Sequence, residues 1–285
     1  MGFTLYGEGK AVKTGIDMVD NEEVLVRDVS CVGGSSGAWS DPSHSSICLL
    51  THGRQNLWIE NFYANADLPI KIDHNPRSTA IQLDIDHSTF RNLYLIGYSG
   101  NSCVTIADNV ILTQVTFDGS QSYVTCKRAF SWIATSNRVH SSGLTITGNP
   151  RWEQSDARDY FVYISLPRSG ALYSFKIENW SEGSSNGGAN GFYLRNVHHP
   201  SIEDGVYQDP HVFLNADSSV DGLLVKNVWT NSSSSINDNS HGSVYVDFNG
   251  IALRAPGLKA ASGTRYLCID AAGDFVSSVT PCSGT

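Results

Sequence analysis

The sequence predicts an all-β chain wound as a right-handed parallel β-helix, a solenoid of about eight to nine coils with a small C-terminal β-hairpin. Three observations predict it: a short strand-and-turn unit that recurs, a second strand set between the copies, and a turn-rich composition. The recurring unit is hydrophobic-x-hydrophobic-x, then a polar turn residue, then usually an apolar one. Clean copies are Val24-Leu25-Val26-Arg27-Asp28-Val29, Leu57-Trp58-Ile59-Glu60-Asn61-Phe62, Phe175-Lys176-Ile177-Glu178-Asn179-Trp180 and Leu223-Leu224-Val225-Lys226-Asn227-Val228. Looser copies end at Asn92, Gln114, Gly148 and Asp204, so the markers step by 33, 31, 22, 34, 31, 25 and 23 residues. A unit of this size with β alternation cannot bury its apolar face alone and must stack on its neighbours.

The second strand set reads Ile47–Leu50, Ile81–Asp84, Val104–Ala107, Ser131–Ala134, Val162–Ser165, Phe192–Arg195, Val212–Asn215 and Val244–Asp247. Strands repeating in one direction form parallel sheets, with right-handed winding the strong default. The Asn/Asp markers then stack at one corner, where their side chains hydrogen-bond neighbouring turn backbone. Long polar connections at 31–46, 63–80, 118–129, 148–160, 181–190 and 229–243 are expected to build a wall of loops along the rod. Residues 1–254 form the helix, 255–263 a linker and 264–285 a terminal hairpin. Strand-like Phe3-Thr4-Leu5 begins without a capping helix, so the first coil is an open edge. Such an edge invites pairing, which implies a longer protein or a partner covering that end.

Composition narrows the function. Lys+Arg 19 against Asp+Glu 28 gives −9 with no basic cluster, which leaves nucleic acid no electrostatic footprint. No apolar run approaches the length of a membrane span. The start lacks a basic and then apolar leader, so a signal peptide was removed or the protein leaves the cell by another route, for instance in a virion. Cys31, Cys48, Cys103 and Cys126 are scattered and read as small buried hydrophobes. Cys268 and Cys282 bracket the terminal hairpin and would come close enough to bridge. His198-His199 read as loop histidines without a second metal ligand; no metal, cofactor or nucleotide motif is present.

The opening Phe3-Thr4-Leu5-Tyr6-Gly7-Glu8-Gly9-Lys10 and the coil motif resemble the pectate-lyase-like right-handed β-helix superfamily over roughly residues 3–250. That superfamily includes polysaccharide lyases, glycoside hydrolases and bacteriophage tailspikes. The resemblance is specific for fold and weak for activity, because the superfold hosts several chemistries. The tail from Arg265-Tyr266-Leu267-Cys268 to Cys282-Ser283-Gly284-Thr285 resembles ends of bacterial and phage β-helix proteins.

Strand alternation places one column outward: Cys48, Gln82, Thr105, Trp132, Tyr163, Tyr193, Phe213 and Tyr245. Five successive aromatic rings about 4.8 Å apart would span roughly 20 Å, a stripe that suits a glycan chain, or else a packing surface. Trp132, Tyr163, Tyr193, Phe213 and Tyr245 are thus the candidate substrate-binding residues. The neighbouring column carries Asp84 and Arg195, and the loop 151–159 carries Glu153 and Asp156. Glycoside hydrolysis needs two carboxylates about 5–9 Å apart, so Asp84 with Glu153 or Asp156, beside Arg195, forms the candidate catalytic set. A lyase would instead draw its base from Lys127, Arg128 or Arg195. The resulting expectation is an extracellular or virion-associated polysaccharide-degrading β-helix, a hydrolase of tailspike type and a homotrimer like the tailspikes it resembles. The alternatives are a non-catalytic glycan-binding or structural module and a lyase.

Overall fold

The computed structural model describes residues 3–6, 14–19, 23–32, 47–52, 56–74, 84–97, 101–135, 140–153, 159–168, 170–183, 189–249, 251–254, 266–269 and 275–278. The chain is a parallel β-solenoid, with no helix among the described residues. One sheet has nine strands in chain order: Thr14–Val19, Ile47–His52, Leu68–Asp73, Ser102–Ile106, Arg128–Ile133, Tyr160–Ser165, Asn190–Arg195, Val212–Ala216 and Ser235–Asp238. The other has fifteen; its main path runs Phe3–Tyr6, Val24–Val32, Leu57–Ala66, Thr89–Gly97, Leu112–Val124, His140–Ile146, Ala171–Glu178, Ser201–Tyr207, Leu224–Thr230, Val244–Phe248 and Ile251–Arg254. Pairing along this path is parallel until Ile251–Arg254, which turns back antiparallel on Val244–Phe248. The expected terminal hairpin is present as Tyr266–Ile269 against Phe275–Ser278.

Left-handed backbone at the corners lets a strand bend without losing its partner. Asp28, Asn61, Asn92, Gly119, Gly148, Asn179, Asp204, Asn227 and Asp247 all have positive φ. Strand registers place them in one column. Asn and Asp tolerate this conformation because a short polar side chain bonds locally. Here those bonds run from coil to coil: Asn61 Nδ2 donates to Asp28 Oδ1 at 2.7 Å, Asn92 Nδ2 to Asn61 Oδ1 at 3.0 Å, and Asn227 Nδ2 to Asp204 Oδ1 at 2.7 Å. At Gly148 only glycine fits, since a Cβ would lie 2.2 Å from the Gly119 nitrogen.

Seven of the eight sequence markers stand in this column; Gln114 does not. It belongs to a second left-handed corner with Gly143, Ser174, His199, Gly222 and Gly242. The expected loop wall is also corrected. Residues 63–66, 68–73, 118–124 and 235–238 are strand, because the chain keeps alternating after the bend, with Phe62, Ala64 and Ala66 inside. In the second strand set, the rung expected at Ile81–Asp84 is filled by Leu68–Asp73, and Val244–Phe248 belongs to the fifteen-stranded sheet. Residues 81–83 lie outside the described residues.

Ladders of inward rings fill the core, with Phe90 stacked on Phe117 at 4.7 Å, Trp152 on Phe161 at 5.5 Å and Trp180 on Phe213 at 6.2 Å. Each such ring contributes about 1.5–3 kcal/mol by burial alone. Cys31, Cys48, Cys103 and Cys126 are buried as expected, but they are not free thiols. They form the disulfides Cys31–Cys48 and Cys103–Cys126, with Cα atoms 5.8 and 5.4 Å apart. The partners are 17 and 23 residues apart, so each bridge closes a loop no longer than about one coil. Cys282 lies outside the described residues.

Candidate functional site

Register decides which side chains the nine-stranded sheet offers to solvent. The pairings align Asp17, Leu50, Lys71, Thr105, Ser131, Tyr163, Tyr193, Asn215 and Asn237 in one outward column. Thr105, Tyr163 and Tyr193 stand where alternation puts them. Trp132, Phe213 and Tyr245 do not: all three are buried, as is Cys48. In Ala129-Phe130-Ser131-Trp132 four consecutive residues are buried, so apolarity gives no phase; the ladder turns Trp132 inward and leaves Ile133 exposed. Phe213 sits at a register shift between Val212 and Leu214. Tyr245 pairs with Val225 on the other sheet and faces the core. Gln82 lies outside the described residues.

What remains outside is a compact cluster. Tyr163 and Tyr193 stack at 4.4 Å and 9°. Tyr160, at the head of the same strand as Tyr163, lies tilted 5.6 Å from both rings. The Arg128 guanidinium sits 4.2 Å over the Tyr163 ring. Arg128 comes from the strand on one side of Tyr163 and Tyr193 from the strand on the other, so both faces of Tyr163 are taken. The stack therefore shows phenol edges and hydroxyls outward rather than a flat ring. The second face of Tyr193 looks toward Asn215, where no aromatic continues the ladder. Burial and the neighbouring Tyr163 push the Tyr193 hydroxyl above the usual phenol range, so it is a donor at neutral pH.

Charge is placed tightly around these rings. Asp159 Oδ1 accepts Arg128 Nε at 2.7 Å and the Tyr160 amide at 2.9 Å, with Lys127 Nζ 3.4 Å from Oδ2. This buried carboxylate fixes Arg128 over Tyr163. Asn215 Nδ2 donates to the Tyr160 hydroxyl at 3.3 Å. Arg195 lies beside the stack, in register with Ser165. Asp217 is held below the usual carboxylate range, first by hydrogen bonds from the Ser219 amide and hydroxyl, with Arg195 and Arg168 adding to it.

The carboxylates expected to act together are apart. Asp84 is buried, its Oδ1 2.7 Å from His74 Nδ1 and its Oδ2 accepting the Ile111 amide at 2.8 Å. Glu153 is 46 % exposed, paired with Arg151 at 3.0 Å, and stands in register with Val124. Asp84 thus adjoins the start of the Leu112–Val124 strand and Glu153 its end, with two corners between. Arg195 lies on the other sheet. Asp156 lies outside the described residues. No group of three or more His, Cys, Asp or Glu able to hold a metal ion occurs among the described residues, and no described helix is long and apolar enough to cross a membrane.

Sequence reasoning passed over Tyr160, Asp159 and the buried carboxyl of Glu182. Tyr160 was not legible from alternation, which sets it on the face opposite Tyr163 three residues later; two consecutive buried residues, Phe161 and Val162, break the phase and leave it beside the outward rings. Glu182 carried little local signal, because its two-residue strand takes its phase only from its neighbours. Comparison with known proteins adds no name to this geometry: no family model, no curated protein and no solved structure matches the chain.

Proposed function

We propose that this β-helix recognises a polysaccharide on the outer face of its nine-stranded sheet. The observation that carries the reading is the Arg128–Tyr163–Tyr193 stack with Tyr160, Arg195 and Asn215 around it. Stacking fixes the rings, so their hydroxyls, the Arg195 guanidinium and the Asn215 amide form a pre-ordered row of hydrogen-bonding groups, and little ordering entropy is lost on binding. The open side of Tyr193 offers one apolar surface for a sugar ring. Resemblance to the pectate-lyase-like superfamily supports the same class of ligand.

Cleavage of the bound glycan, in the manner of a tailspike hydrolase, is the second reading. It requires a carboxylic acid that keeps its proton beside the sugar. Next to the stack, Asp159 is tied to two cations and Asp217 is held ionised, which favours recognition over hydrolysis. Two disulfides support a destination outside a reducing cytosol. Exposed Leu25 and Trp58, neighbours in register, support packing of copies side by side, and a homotrimer would scatter light as three times 30.9 kDa.

A glycan array with the intact protein, followed by reducing-end and unsaturated-sugar assays on each hit, tests the reading. Expected is retention of at least one glycan class, reduced several-fold by Tyr193→Ala and Arg195→Ala while both variants stay folded. Absence of binding, or binding untouched by both changes, rejects it. New reducing ends would establish hydrolysis, and absorbance from an unsaturated sugar a lyase.

A further inference from the structure

Behind the left-handed corner, the fifteen-stranded sheet sends an inward column into the core that reads Tyr123, Trp152, Glu182, Tyr207. Glu182 occupies a rung where its neighbours are rings, and it is 0 % exposed. Neither of its carboxyl oxygens has a hydrogen-bond partner among the described residues. Asp209, 4 % exposed, stands within hydrogen-bond reach of it. Asp209 is itself engaged, its Oδ2 accepting the Ala189 amide at 3.1 Å. No described Lys, Arg or His forms an ion pair with either residue.

Two neighbouring ionised carboxylates are acceptors only and repel each other. Two buried negative charges without a cation are among the costliest arrangements in a core. A single proton removes both difficulties, because one carboxyl becomes a donor to the other and one charge disappears. We propose that Glu182 and Asp209 share one proton in the folded protein, and that loss of this proton at alkaline pH loosens the coil wall they hold.

The groups around the pair agree with this assignment. Burial is the largest influence on Glu182 and the neighbouring Asp209 the next; together they push it up to about 8. The Gln208 and Asp209 amides pull weakly the other way without forming a well-shaped hydrogen bond to either oxygen. Tyr207, the next rung, keeps its proton because burial and both carboxyls oppose its ionisation; its hydroxyl donates to the Ala189 carbonyl at 2.6 Å. Tyr160 also opposes ionisation of Tyr207, and His211 follows Asp209 by two residues. The pair therefore fastens Ala189 through Asp209 and, by way of Tyr207, the start of the Asn190–Arg195 strand.

The direction of the pH effect follows from linkage. Glu182 binds its proton more tightly folded than unfolded, so its contribution is complete below about pH 4.5 and shrinks as pH rises. It is gone once pH passes about 8.

Melting of the full chain between about pH 6 and about pH 9.5, compared with Glu182→Gln and Asp209→Asn, tests the proposal. Infrared spectra of the same samples report the carbonyl band of a protonated carboxyl. Glutamine supplies an N–H to Asp209 without a titrating proton, so the wild type is expected to lose melting temperature across this range while E182Q stays nearly flat. The protonated-carboxyl band should be present near pH 6, vanish above about pH 9 and be absent from E182Q. Asp209→Asn gives Glu182 a neutral donor and should also flatten the profile. Parallel profiles for all three proteins would overturn the proposal. So would calcium raising the melting temperature of the wild type but not of E182Q, in the absence of the infrared band, which would make the pair a cation site. If neither variant folds, the wild-type band and its loss with pH decide alone.

Discussion

Replacing Tyr163 by alanine separates a surface stack from a core ring. Tyr163 is half-buried and makes two specific contacts, a parallel stack on Tyr193 at 4.4 Å and a guanidinium at 4.2 Å. The ring pair is worth about 0.5–1.5 kcal/mol and the partly exposed cation–π contact about 0.5–1 kcal/mol. Tyr163→Ala should therefore cost about 1–2.5 kcal/mol. Phe161, two residues earlier and fully buried against Trp152, Trp180 and Phe192, should cost about 3–5 kcal/mol on the same truncation. Urea denaturation followed by circular dichroism measures both. A double-mutant cycle with Tyr193→Ala isolates the ring pair and should return a coupling of about 0.5–1.5 kcal/mol. Coupling inside the additivity error of about 0.3 kcal/mol, or a Tyr163 loss equal to that of Phe161, would refute the picture of an ordered outward stack. With it would go the pre-ordered row on which glycan recognition rests.

Perturbations at three other places follow from the coil geometry. Asn61→Ala removes two ladder hydrogen bonds and leaves alanine in left-handed backbone, an expected loss of about 2–3 kcal/mol by denaturant titration. Asn61→Gly keeps the backbone relaxed, so it should cost about 1 kcal/mol less; equal losses would show that the bend is not what Asn61 supports. Gly205→Ala would set a Cβ 1.9 Å from Trp180 Cε2, and overpacking of about 1–3 kcal/mol should appear as a lower melting temperature. Replacing Cys31 and Cys48 together by serine opens a link across 17 residues and should lose about 3 kcal/mol in the chain-entropy account, measurable by the same titration.

The repeat was legible because each coil restates it, and a corner that needs left-handed backbone selects Asn, Asp or Gly visibly. Gln114 looks like a member of the first corner because the second bend uses the same backbone conformation after a similar apolar run, Val110-Ile111-Leu112. Tyr163 and Tyr193 could be placed because each is flanked by an inward pair, Val162 with Ile164 and Phe192 with Leu194. Trp132 could not, since an unbroken buried run carries no phase and only pairing with Ile106 and Ile164 supplies it. Disulfide partners escaped for a similar reason: closure depends on where a coil returns in space, which local spacing does not encode. Glu182 is hidden from sequence because an ionisable side chain in an inward ring column runs against the pattern of apolar residues inside.

Both staples lie within single turns of the first half of the rod, Cys31–Cys48 and Cys103–Cys126. A stack of repeats behaves as a one-dimensional chain in which the first ordered unit is the hardest to make and each later one zips onto it. A covalent loop lowers the entropy lost in closing its own turn, so these two turns become the seeds from which order spreads. Growth then runs from the stapled segments toward Leu224–Thr230 and Val244–Phe248, and fraying runs back the opposite way. Amide exchange should accordingly grade along the axis, slowest beside the two cystines and fastest at the far coils, giving an apparently uniform rod a built-in polarity of assembly.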